Sequence, residues 1–335
     1  MGKVLLIGDM HLKISNFQLA KDFLSWLNKT IEDQKPDIIV NLGDCFDSHA
    51  VVRSEIMTEF YSHIKYSLRH ASKYYYIVGN HDCARPNSLQ YHALKGMQDI
   101  DNFIVIDKPT DIDNMTLVPY IYDFKEFPLD TKEVCIAHQT FIGADYGYYR
   151  PDVGVDADKL KAEIIISGHV HKKQEFGKVF YPGTPYAHSA DDVGQIKGIS
   201  VFDTASYKFT FIESPMPNWR KMSFNVTPDL SISTIHDAIL NDINNKDHWI
   251  INIVGPKAEI IAYLDSPEWT ELAKTYSVRI KPEYNDKEKT KKVSIKSNTI
   301  DDILNDYVDK IYKGAIDKDS IKTKIQETLK SVRSN

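Results

Sequence analysis

Residues 3–11 read KVLLIGDMH, an apolar run that ends in Gly8-Asp9-Met10-His11. The run from Val4 to Ile7 has the length and composition of a buried β-strand. The carboxylate and imidazole that follow it are both able to bind a metal ion. The same arrangement, a short apolar run followed by polar residues, recurs four times along the chain. This pattern predicts a layered α/β domain whose strand ends carry the functional side chains.

Four later motifs follow apolar runs at 38–42, 74–78, 134–137 and 164–167. They are Gly43-Asp44-Cys45-Phe46-Asp47, Gly79-Asn80-His81-Asp82, His138 and Gly168-His169-Val170-His171. The carboxyl ends of strands in an α/β sheet meet in one crevice, so we expect these segments to bring their side chains to one place. A lone histidine is more often a core residue than a ligand, but five such motifs in order are a specific signal.

These residue types are suited to a pair of divalent metal ions. A carboxylate shared by both ions, flanked by imidazoles and an amide oxygen, fits metals roughly 3.5–4 Å apart, an arrangement used for in-line displacement at phosphorus. Asp44 is the candidate for the shared carboxylate. The other predicted ligands are Asp9, His11 and His171 for one ion and Asn80, His138 and His169 for the other. Mixed imidazole, carboxylate and amide ligation favours manganese, with magnesium, iron and zinc as alternatives.

Three further residues of the motifs have predicted roles that do not require metal binding. His81 adjoins the predicted ligand Asn80, and we expect it to contact the scissile phosphate and either protonate the leaving oxygen or stabilise the transition state. Asp47 and Asp82 are expected to orient histidines of the site. Five histidines outside the motifs sit in helical or polar segments and are expected at the surface; they are His63, His70, His92, His236 and His248.

Composition limits the class of protein. A chain of 335 residues with 42% hydrophobic content can form one large domain and a smaller companion. Its cysteines, Cys45, Cys83 and Cys135, lack the spacing of a zinc cluster or a disulfide framework and are expected to be reduced. Neither a signal peptide nor a membrane span is expected, which predicts a cytoplasmic protein.

Changes in pattern along the chain predict its domain organisation. Apolar residues at helical spacing predict two helices in the first domain, through residues 20–31 and 56–68. The predicted parts are an α/β domain at 1–215, a small α/β capping domain at 216–284 with a strand at 249–254, a charged linker at 285–298 and a helical segment at 299–335. The last part carries two apolar stripes, formed by Ile300, Ile303, Leu304, Tyr307, Val308 and Ile311 and by Ile321, Ile325 and Leu329. The stripes predict docking helices, with a helical hairpin packed on its own domain as the alternative.

The five motifs in this order resemble those of the calcineurin-like metallophosphoesterase superfamily. Together with Tyr181-Pro182-Gly183-Thr184-Pro185, they resemble the SbcD nuclease subunits of bacterial SbcCD complexes and the equivalent recombination nuclease subunits of large tailed phages. The resemblance covers nearly the whole chain. One departure is Asp47, which stands where archaeal and eukaryotic relatives carry a histidine, so the role of that histidine is not transferred to this chain.

The resemblance implies a β-sandwich flanked by helices, with a small capping domain that contacts DNA and C-terminal helices. It also implies a manganese-dependent 3′ to 5′ exonuclease on duplex DNA with endonuclease activity, acting in DNA recombination, repair or replication. The implied partners are DNA and an SbcC-like, SMC-family ATPase bound by residues 299–335. A homodimer through the second helix region, within a heterotetramer, is implied as well, as is a host cytoplasm if the chain is of phage origin.

DNA binding must be reconciled with the charge of the chain. Lys and Arg number 41 against 47 Asp and Glu, a formal net charge of −6, so bound metals or a basic partner would have to offset phosphate repulsion. The segment at 145–150 offers Tyr148, Tyr149 and Arg150 as aromatic faces and a cation for unpaired bases. A packed loop would explain these tyrosines equally well.

Two other functions are compatible with the same motifs. The first is a phosphoprotein phosphatase or a small-molecule phosphodiesterase. Phosphoprotein phosphatases carry an arginine shortly after the second motif and read Asn-His-Glu in the third, whereas this chain reads Asn80-His81-Asp82. The second is a non-catalytic scaffold, which the presence of every expected ligand disfavours.

Overall fold

The computed structural model of the chain describes residues 2–47, 49, 51–147, 149–227, 229–285, 308 and 317–333. The chain divides into two compact units, Met1–Tyr284 and Asn285–Asn335. In chain order the strands are β1 (Lys3–Ile7), β2 (Ile38–Asn41), β3 (Lys73–Ile77), β4 (Cys83–Arg85), β5 (Ser88–His92), β6 (Phe103–Ile106), β7 (Thr110–Ile112), β8 (Met115–Val118), β9 (Val134–His138), β10 (Ile164–Gly168), β11 (Gln174–Phe176), β12 (Val179–Tyr181), β13 (Gly198–Asp203), β14 (Lys208–Glu213), β15 (Trp219–Asn225), β16 (His248–Gly255) and β17 (Val278–Tyr284). The helices are α1 (Phe17–Gln34), α2 (Ser54–Ser67), α3 (Ile232–Asp242), α4 (Lys257–Leu264), α5 (Pro267–Thr275) and α6 (Lys318–Arg333).

Two six-stranded sheets form the larger part of the first unit. The first has the order β14-β13-β1-β2-β3-β6, and the second has the order β11-β12-β10-β9-β8-β7. Strands β1, β2, β3 and β6 run parallel to one another, as do β8, β9, β10 and β12. The outer strands β13, β14, β7 and β11 are antiparallel to their neighbours.

The apolar run of β1 is continuous because both faces of its sheet are covered. Successive side chains of a strand point to opposite faces. Leu5 and Ile7 therefore pack in the core that includes α1 and α2 residues such as Phe23 and Phe60. Val4 and Leu6 pack in a second core together with residues of the other sheet. Burying each of these aliphatic side chains stabilises the fold by roughly 1.5–3 kcal/mol. The predicted layered sandwich and its two flanking helices are confirmed.

The last part of the first unit contains a separate small sheet. Its parallel strands have the order β15-β16-β17, and α3, α4 and α5 connect them. These elements share one apolar core, which includes Ile239, Ile251 and Leu272. Ser231 and Ser266 begin α3 and α5 with side chains that accept hydrogen bonds from backbone N–H groups, as helix N-caps do. The strand predicted at 249–254 lies within β16. The domain boundaries themselves stay a prediction.

In the second unit, α6 forms where the second apolar stripe predicts a helix, and Ile321 and Ile325 are half-buried. The linker at 286–298 and all of the first predicted docking helix except Val308 lie outside the described residues. Among the helices that the structure does describe, none combines the length and the apolar character needed to cross a membrane.

Two of the histidines expected at the surface are buried. His63 of α2 contacts the Asn28 side chain through Nδ1 at 2.6 Å, and burial lowers its pKa to about 3. His92 ends β5 and is also buried. The surface prediction is wrong for both because the helical or polar neighbours of a residue do not show which side of its element faces the core. All three cysteines are buried free thiols, as expected.

Candidate metal centre

The residues at the strand ends form two compact groups that could each hold a metal ion. The potential ligand atoms within each group lie within 4.8 Å of one another. One group is Asp9, His11 and His171, and the other is Asp44, His138 and His169. We call them the first and second groups. The division of the histidines and of Asp9 is the one predicted from the sequence, whereas Asp44 was predicted to serve both ions.

The candidate ligands come from two sheets and meet in one place. Asp9, Asp44 and Asn80 follow β1, β2 and β3 of the first sheet, and His138 and His169 come at the ends of β9 and β10 of the second. Each set is compact because its strands are adjacent and parallel, and Gly168 pairs directly with His138. The packing of one sheet against the other then brings both sets to the same place.

Asp44 lies between the two groups. Its Oδ2 atom is 3.2 Å from His138 Nε2 and 4.0 Å from His11 Nε2. Asn80 is nearby, since its Oδ1 atom is 3.2 Å from the same His138 nitrogen. Within the first group, the Nε2 atoms of His11 and His171 are 3.1 Å apart. The seven predicted ligands therefore lie together, and the Asp44 carboxylate lies within 4.0 Å of a histidine of each group.

Three of these ligands have strained backbones. The φ angles of His11, Asp44 and His169 are 43°, 50° and 78°, in the left-handed region that residues other than glycine seldom adopt. The bond from His11 N–H to the Asp44 carbonyl, at 3.0 Å, holds the first two of these turns together. The third is held by the bond from His169 N–H to Asp9 Oδ1, at 2.8 Å. Strain of this kind persists where the surroundings over-determine it, as at sites that pre-organise functional groups.

Unsatisfied atoms at the site fit divalent metal ions. Asp9 Oδ2, His11 Nδ1 and His169 Nδ1 are buried without a hydrogen-bond partner among the described residues. His138 donates from Nδ1 to the Leu42 carbonyl at 2.6 Å, which turns Nε2 toward Asp44. Ligand histidines are commonly held in this way by a backbone carbonyl. The donor set of carboxylates and imidazoles is one that divalent transition metals accept.

The charges of the second group are strongly coupled. Burial alone would lower the pKa of His138, but the Asp44 and Asp9 carboxylates outweigh it and raise the pKa to about 9. Burial alone would raise the pKa of Asp44, yet His138 and His11 hold it well below its usual range. Burial and the neighbouring His138 lower the pKa of His169 to about 3. Without metal, the proton of this group therefore resides on His138 at neutral pH.

Metal binding to the second group is expected to release the His138 proton. The apparent affinity for Mn²⁺ should therefore rise by about tenfold per pH unit and level off near pH 9, where His138 no longer holds the proton. Calorimetric titration with Mn²⁺ at pH 6.5, 7.5 and 8.5, in buffers of different ionisation enthalpy, measures both the affinity and the proton count. An affinity that does not change over this range, with no proton released, would contradict the assignment of His138 as a ligand.

His81 is attached to the site through its backbone. Its N–H donates to Asp44 Oδ1 at 2.7 Å, while its ring Nδ1 is 3.2 Å from the Asp47 carbonyl. The ring also meets the His11 ring edge-on, with centroids 4.8 Å apart. An Nδ1–H bond to a carbonyl leaves Nε2 as the ring nitrogen able to face a substrate. The structure thus places His81 beside the metal groups without using its ring in either of them.

The structure separates the roles of Asp47 and Asp82. The Asp47 carboxylate is 3.9 Å from His11 Nδ1, which is the kind of histidine contact that was predicted. Asp82 is different, and its described hydrogen-bond partners are not histidines. It accepts bonds of 2.8 to 3.1 Å from the backbone N–H groups of Asp44, Cys45 and Gly79 and from the Tyr76 hydroxyl. The described contacts of Asp82 thus support the loop that carries Asp44, and a role in orienting a histidine stays a prediction.

Two glycines are needed at the site for different reasons. Gly43 has a φ of +104°, where a side chain would be strained. Gly79 does not have a positive φ, but a Cβ atom there would collide with the Asp44 carboxylate. Gly79 therefore serves close packing rather than a special turn.

Two histidines near the site were missed by sequence reasoning. His49 stacks on His81 with ring centroids 4.3 Å apart, and its Nδ1 is 3.0 Å from the Asn80 carbonyl. His188 donates from Nε2 to the Asp9 carbonyl at 3.1 Å. His188 follows the string at 181–185 closely enough to have been considered with it. His49 carries no comparable signal, because only the fold of the loop places it against His81.

The aromatic segment at 145–150 lies next to the second group. Tyr146 approaches the His169 ring, with centroids 6.4 Å apart, and it stacks on Tyr149 at 5.0 Å. Arg150 is 3.6 Å from the Asp145 carboxylate, and its side chain is 73% exposed. Tyr148 lies outside the described residues.

The fold and the donor set together define a metal-dependent phosphoesterase. Residues 2–173 match the model of the calcineurin-like phosphoesterase family, and the chain belongs to this family. The resemblance noted in the motifs is thereby confirmed.

Viral proteins are among the relatives. The chain is 28% identical over 208 residues to protein 078R of Invertebrate iridescent virus 3, which is named as a phosphoesterase; the match covers 56% of this chain and 58% of that protein. It is 28% identical over 228 residues to exonuclease subunit 1 of Enterobacteria phage T4, covering 63% of this chain and 67% of the relative. Protein 244L of Invertebrate iridescent virus 6, also named as a phosphoesterase, is 29% identical over 207 residues, covering 56% of this chain and 71% of the relative.

Proposed function

We propose that the chain is a DNA nuclease that cleaves phosphodiesters with two divalent metal ions, most simply Mn²⁺. The observation that carries this proposal is the position of Asp44, whose Oδ2 atom is 3.2 Å from a histidine of the second group and 4.0 Å from one of the first. A carboxylate in this place can serve two ions at once, as two-metal phosphoesterases require. The proposed activity is 3′ to 5′ exonuclease activity on duplex DNA, together with endonuclease activity. The enzyme would act in DNA recombination, repair or replication. Its proposed location is the cytoplasm, which is the host cytoplasm if the chain is of phage origin.

The residues of the site have different roles in the proposed reaction. When bound, the two ions would supply Lewis-acid stabilisation of the phosphate charge and activation of a water. Asp9, His11 and His171 would hold one ion, Asn80, His138 and His169 the other, and Asp44 both. In its protonated form, His81 keeps its Nδ1–H on the Asp47 carbonyl, presents Nε2–H to the scissile phosphate, gives that proton to the leaving oxygen and is left as neutral imidazole. Asp47 keeps the His11 ring in place, and Asp82 holds the Asp44 loop through its backbone N–H groups.

DNA is preferred to other phosphoesters for two reasons. The phage T4 relative is named as an exonuclease subunit. In addition, the third motif reads Asn80-His81-Asp82, unlike the Asn-His-Glu of phosphoprotein phosphatases. The alternative is hydrolysis of small phosphodiesters on the same scaffold. The viral relatives that are named only as phosphoesterases are compatible with this alternative.

The proposal is tested by offering linear duplex DNA, single-stranded DNA and a chromogenic phosphodiester, each with Mn²⁺ or Mg²⁺. The expected result is hydrolysis of both duplex DNA and the small ester, faster with Mn²⁺. Adding the cognate ATPase and ATP shows whether a partner changes DNA cleavage. Hydrolysis of the small ester without action on any DNA, with or without the ATPase, would refute the nuclease function and support the alternative.

We also propose that residues 299–335 bind an SbcC-like, SMC-family ATPase, with the nuclease as a homodimer in a heterotetramer. The word subunit in the name of the T4 relative supports a partner, and α6 offers an amphipathic stripe with Ile321 and Ile325. Deletion of 299–335 is expected to abolish association with the ATPase and to spare hydrolysis of the small ester, as measured by co-purification and by turnover. Ile325→Asp should reproduce the loss and Thr323→Asp, on an exposed position of the same helix, should not; association retained by the deleted chain would contradict the docking role.

Contacts with DNA are proposed for the capping region at 216–284 and for Tyr148, Tyr149 and Arg150. The Tyr146–Tyr149 stack supports the second of these, since it continues from the second metal group toward solvent. Replacing Tyr149 by alanine should weaken binding to DNA with frayed ends by roughly 1–3 kcal/mol, because one base loses its aromatic partner. Fluorescence anisotropy with frayed and fully paired ends measures this, and equal affinity of variant and parent for frayed ends would show that the loop is merely packed.

A further inference from the structure

The short segment that precedes β13 contains an ion pair buried beside the metal centre. Lys197 Nζ is 2.6 Å from Asp192 Oδ1, and the side chains are only 2% and 7% exposed. Burying two charges is costly unless their geometry is well satisfied, and apolar residues of similar volume often replace such pairs without loss of stability. A pair of this kind is therefore weak evidence of a role in stability, and its contacts indicate what else it does.

Lys197 connects the ion pair to the metal centre. Its ammonium group also donates to the His171 carbonyl at 3.0 Å and to Gln195 Oε1 at 2.9 Å. An ammonium group has three donors, so these two acceptors and Asp192 use all of them. The position of the His171 backbone is thus tied to the segment at 192–197.

Asp192 and His188 connect the same pair to the other two members of the first group. Asp192 Oδ2 accepts hydrogen bonds from His188 N–H at 2.8 Å and from Ser189 N–H at 3.1 Å. The His188 ring then donates to the Asp9 carbonyl at 3.1 Å and meets the His11 ring edge-on, with centroids 5.2 Å apart.

The chain of contacts therefore spans both sheets of the sandwich. Asp9 and His11 follow β1 of the first sheet, whereas His171 follows β10 of the second. The contacts of His188 and Lys197 reach all three ligands of the first group. The contacts described for these residues do not include Asp44, His138 or His169 of the second group.

We propose that His188, Asp192 and Lys197 are positioning residues that hold the three ligands of the first group together and thereby set the affinity of that group alone. We call these three residues the clamp. The inference rests on the proposed two-metal function. The inference goes beyond that function because it assigns to the clamp the metal affinity of one of the two groups, independently of the other. Residues that hold metal ligands typically change affinity by roughly 10–100-fold when altered, and a change of that size is expected for the first group only.

The test uses the double variant Lys197→Met and Asp192→Asn in the full chain. Removing both charges avoids leaving one of them buried and unpaired, and asparagine keeps an oxygen for the N–H groups of His188 and Ser189. Mn²⁺ binding is followed by calorimetry and by electron paramagnetic resonance, which separates coupled ion pairs from single ions. The expected result is two ions in the parent, and in the variant one ion bound normally and one bound roughly 10–100-fold more weakly, with turnover recovered at high Mn²⁺. Lys178→Met is the matched control, because its Nζ atom also donates to a backbone carbonyl, that of Leu160, at 2.8 Å.

Combining the clamp substitutions with a second substitution in either metal group shows which group binds the weakened ion. In a His169→Ala chain, which disables the second group, the clamp substitutions should weaken binding of the remaining ion by roughly 10–100-fold. In a His11→Ala chain, which disables the first group, the clamp variant should change nothing. Two ions bound with parental affinity in the folded clamp variant, or equal weakening in both backgrounds, would overturn the inference. A parent chain that binds fewer than two ions would instead refute the proposed two-metal function.

Discussion

Replacing Asp44 by asparagine is expected to lower kcat for phosphodiester hydrolysis by more than about 10³-fold. The loss of a carboxylate that serves two ions removes several kcal/mol of charge stabilisation, and each 1.4 kcal/mol is about a factor of ten in rate. The physical basis is the position of Oδ2, 3.2 Å from His138 Nε2 and 4.0 Å from His11 Nε2. The substitution also removes the charge that keeps His138 protonated, so the metal-free site changes as well.

The measurement combines Mn²⁺ stoichiometry with turnover of the chromogenic ester and of duplex DNA. Both groups should bind more weakly in Asp44→Asn, in contrast to the clamp variant, which should affect only one. Asp203→Asn is the control. Asp203 lies opposite Lys3 in the β1–β13 strand pairing, at the end of β1 that is far from Asp9. Full metal occupancy with undiminished turnover would show that Asp44 is not a shared ligand.

Replacing His81 by alanine is expected to lower kcat on DNA by roughly 10²–10⁴-fold while both ions stay bound, because a positioned general acid contributes about that much. Metal retention follows from the geometry, as it is the backbone N–H of His81 that contacts Asp44 and alanine keeps that group. The loss should be much smaller for a p-nitrophenyl ester. Its leaving oxygen departs as a stable anion and needs no proton from His81.

Parallel assays on DNA and on the p-nitrophenyl ester therefore decide the role of His81. A loss confined largely to DNA supports proton donation. An equal loss on both substrates would instead mean that His81 stabilises the charge on the phosphate. His70→Ala serves as the control, because His70 packs on Tyr66 beyond the end of α2. Unchanged hydrolysis of DNA by His81→Ala would remove His81 from the mechanism.

Local sequence pattern was sufficient to predict the strands and helices discussed above and to identify the candidate metal ligands. The four apolar residues of β1 could be recognised as a strand because a continuous run means that both faces are covered. The polar residues after each such strand could be recognised as candidate ligands because strand ends project side chains where they can meet. Asp82 shows the limit of this reasoning. Its neighbours in sequence suggested a histidine partner, but its carboxylate bonds backbone groups 37 and 38 positions away as well as nearby Gly79 and Tyr76.

The sequence by itself determined which residues can bind metal, their order, and the family to which they belong, because these depend on residue type and on spacing within short segments. Only the tertiary structure decided that the ligands meet between two sheets, that Asp44 lies between the groups, and that His49 and His188 join the site. The same holds for the buried pair of Lys197 and Asp192. These contacts join residues far apart in the chain, and their geometry depends on how the two sheets pack, which no local pattern encodes.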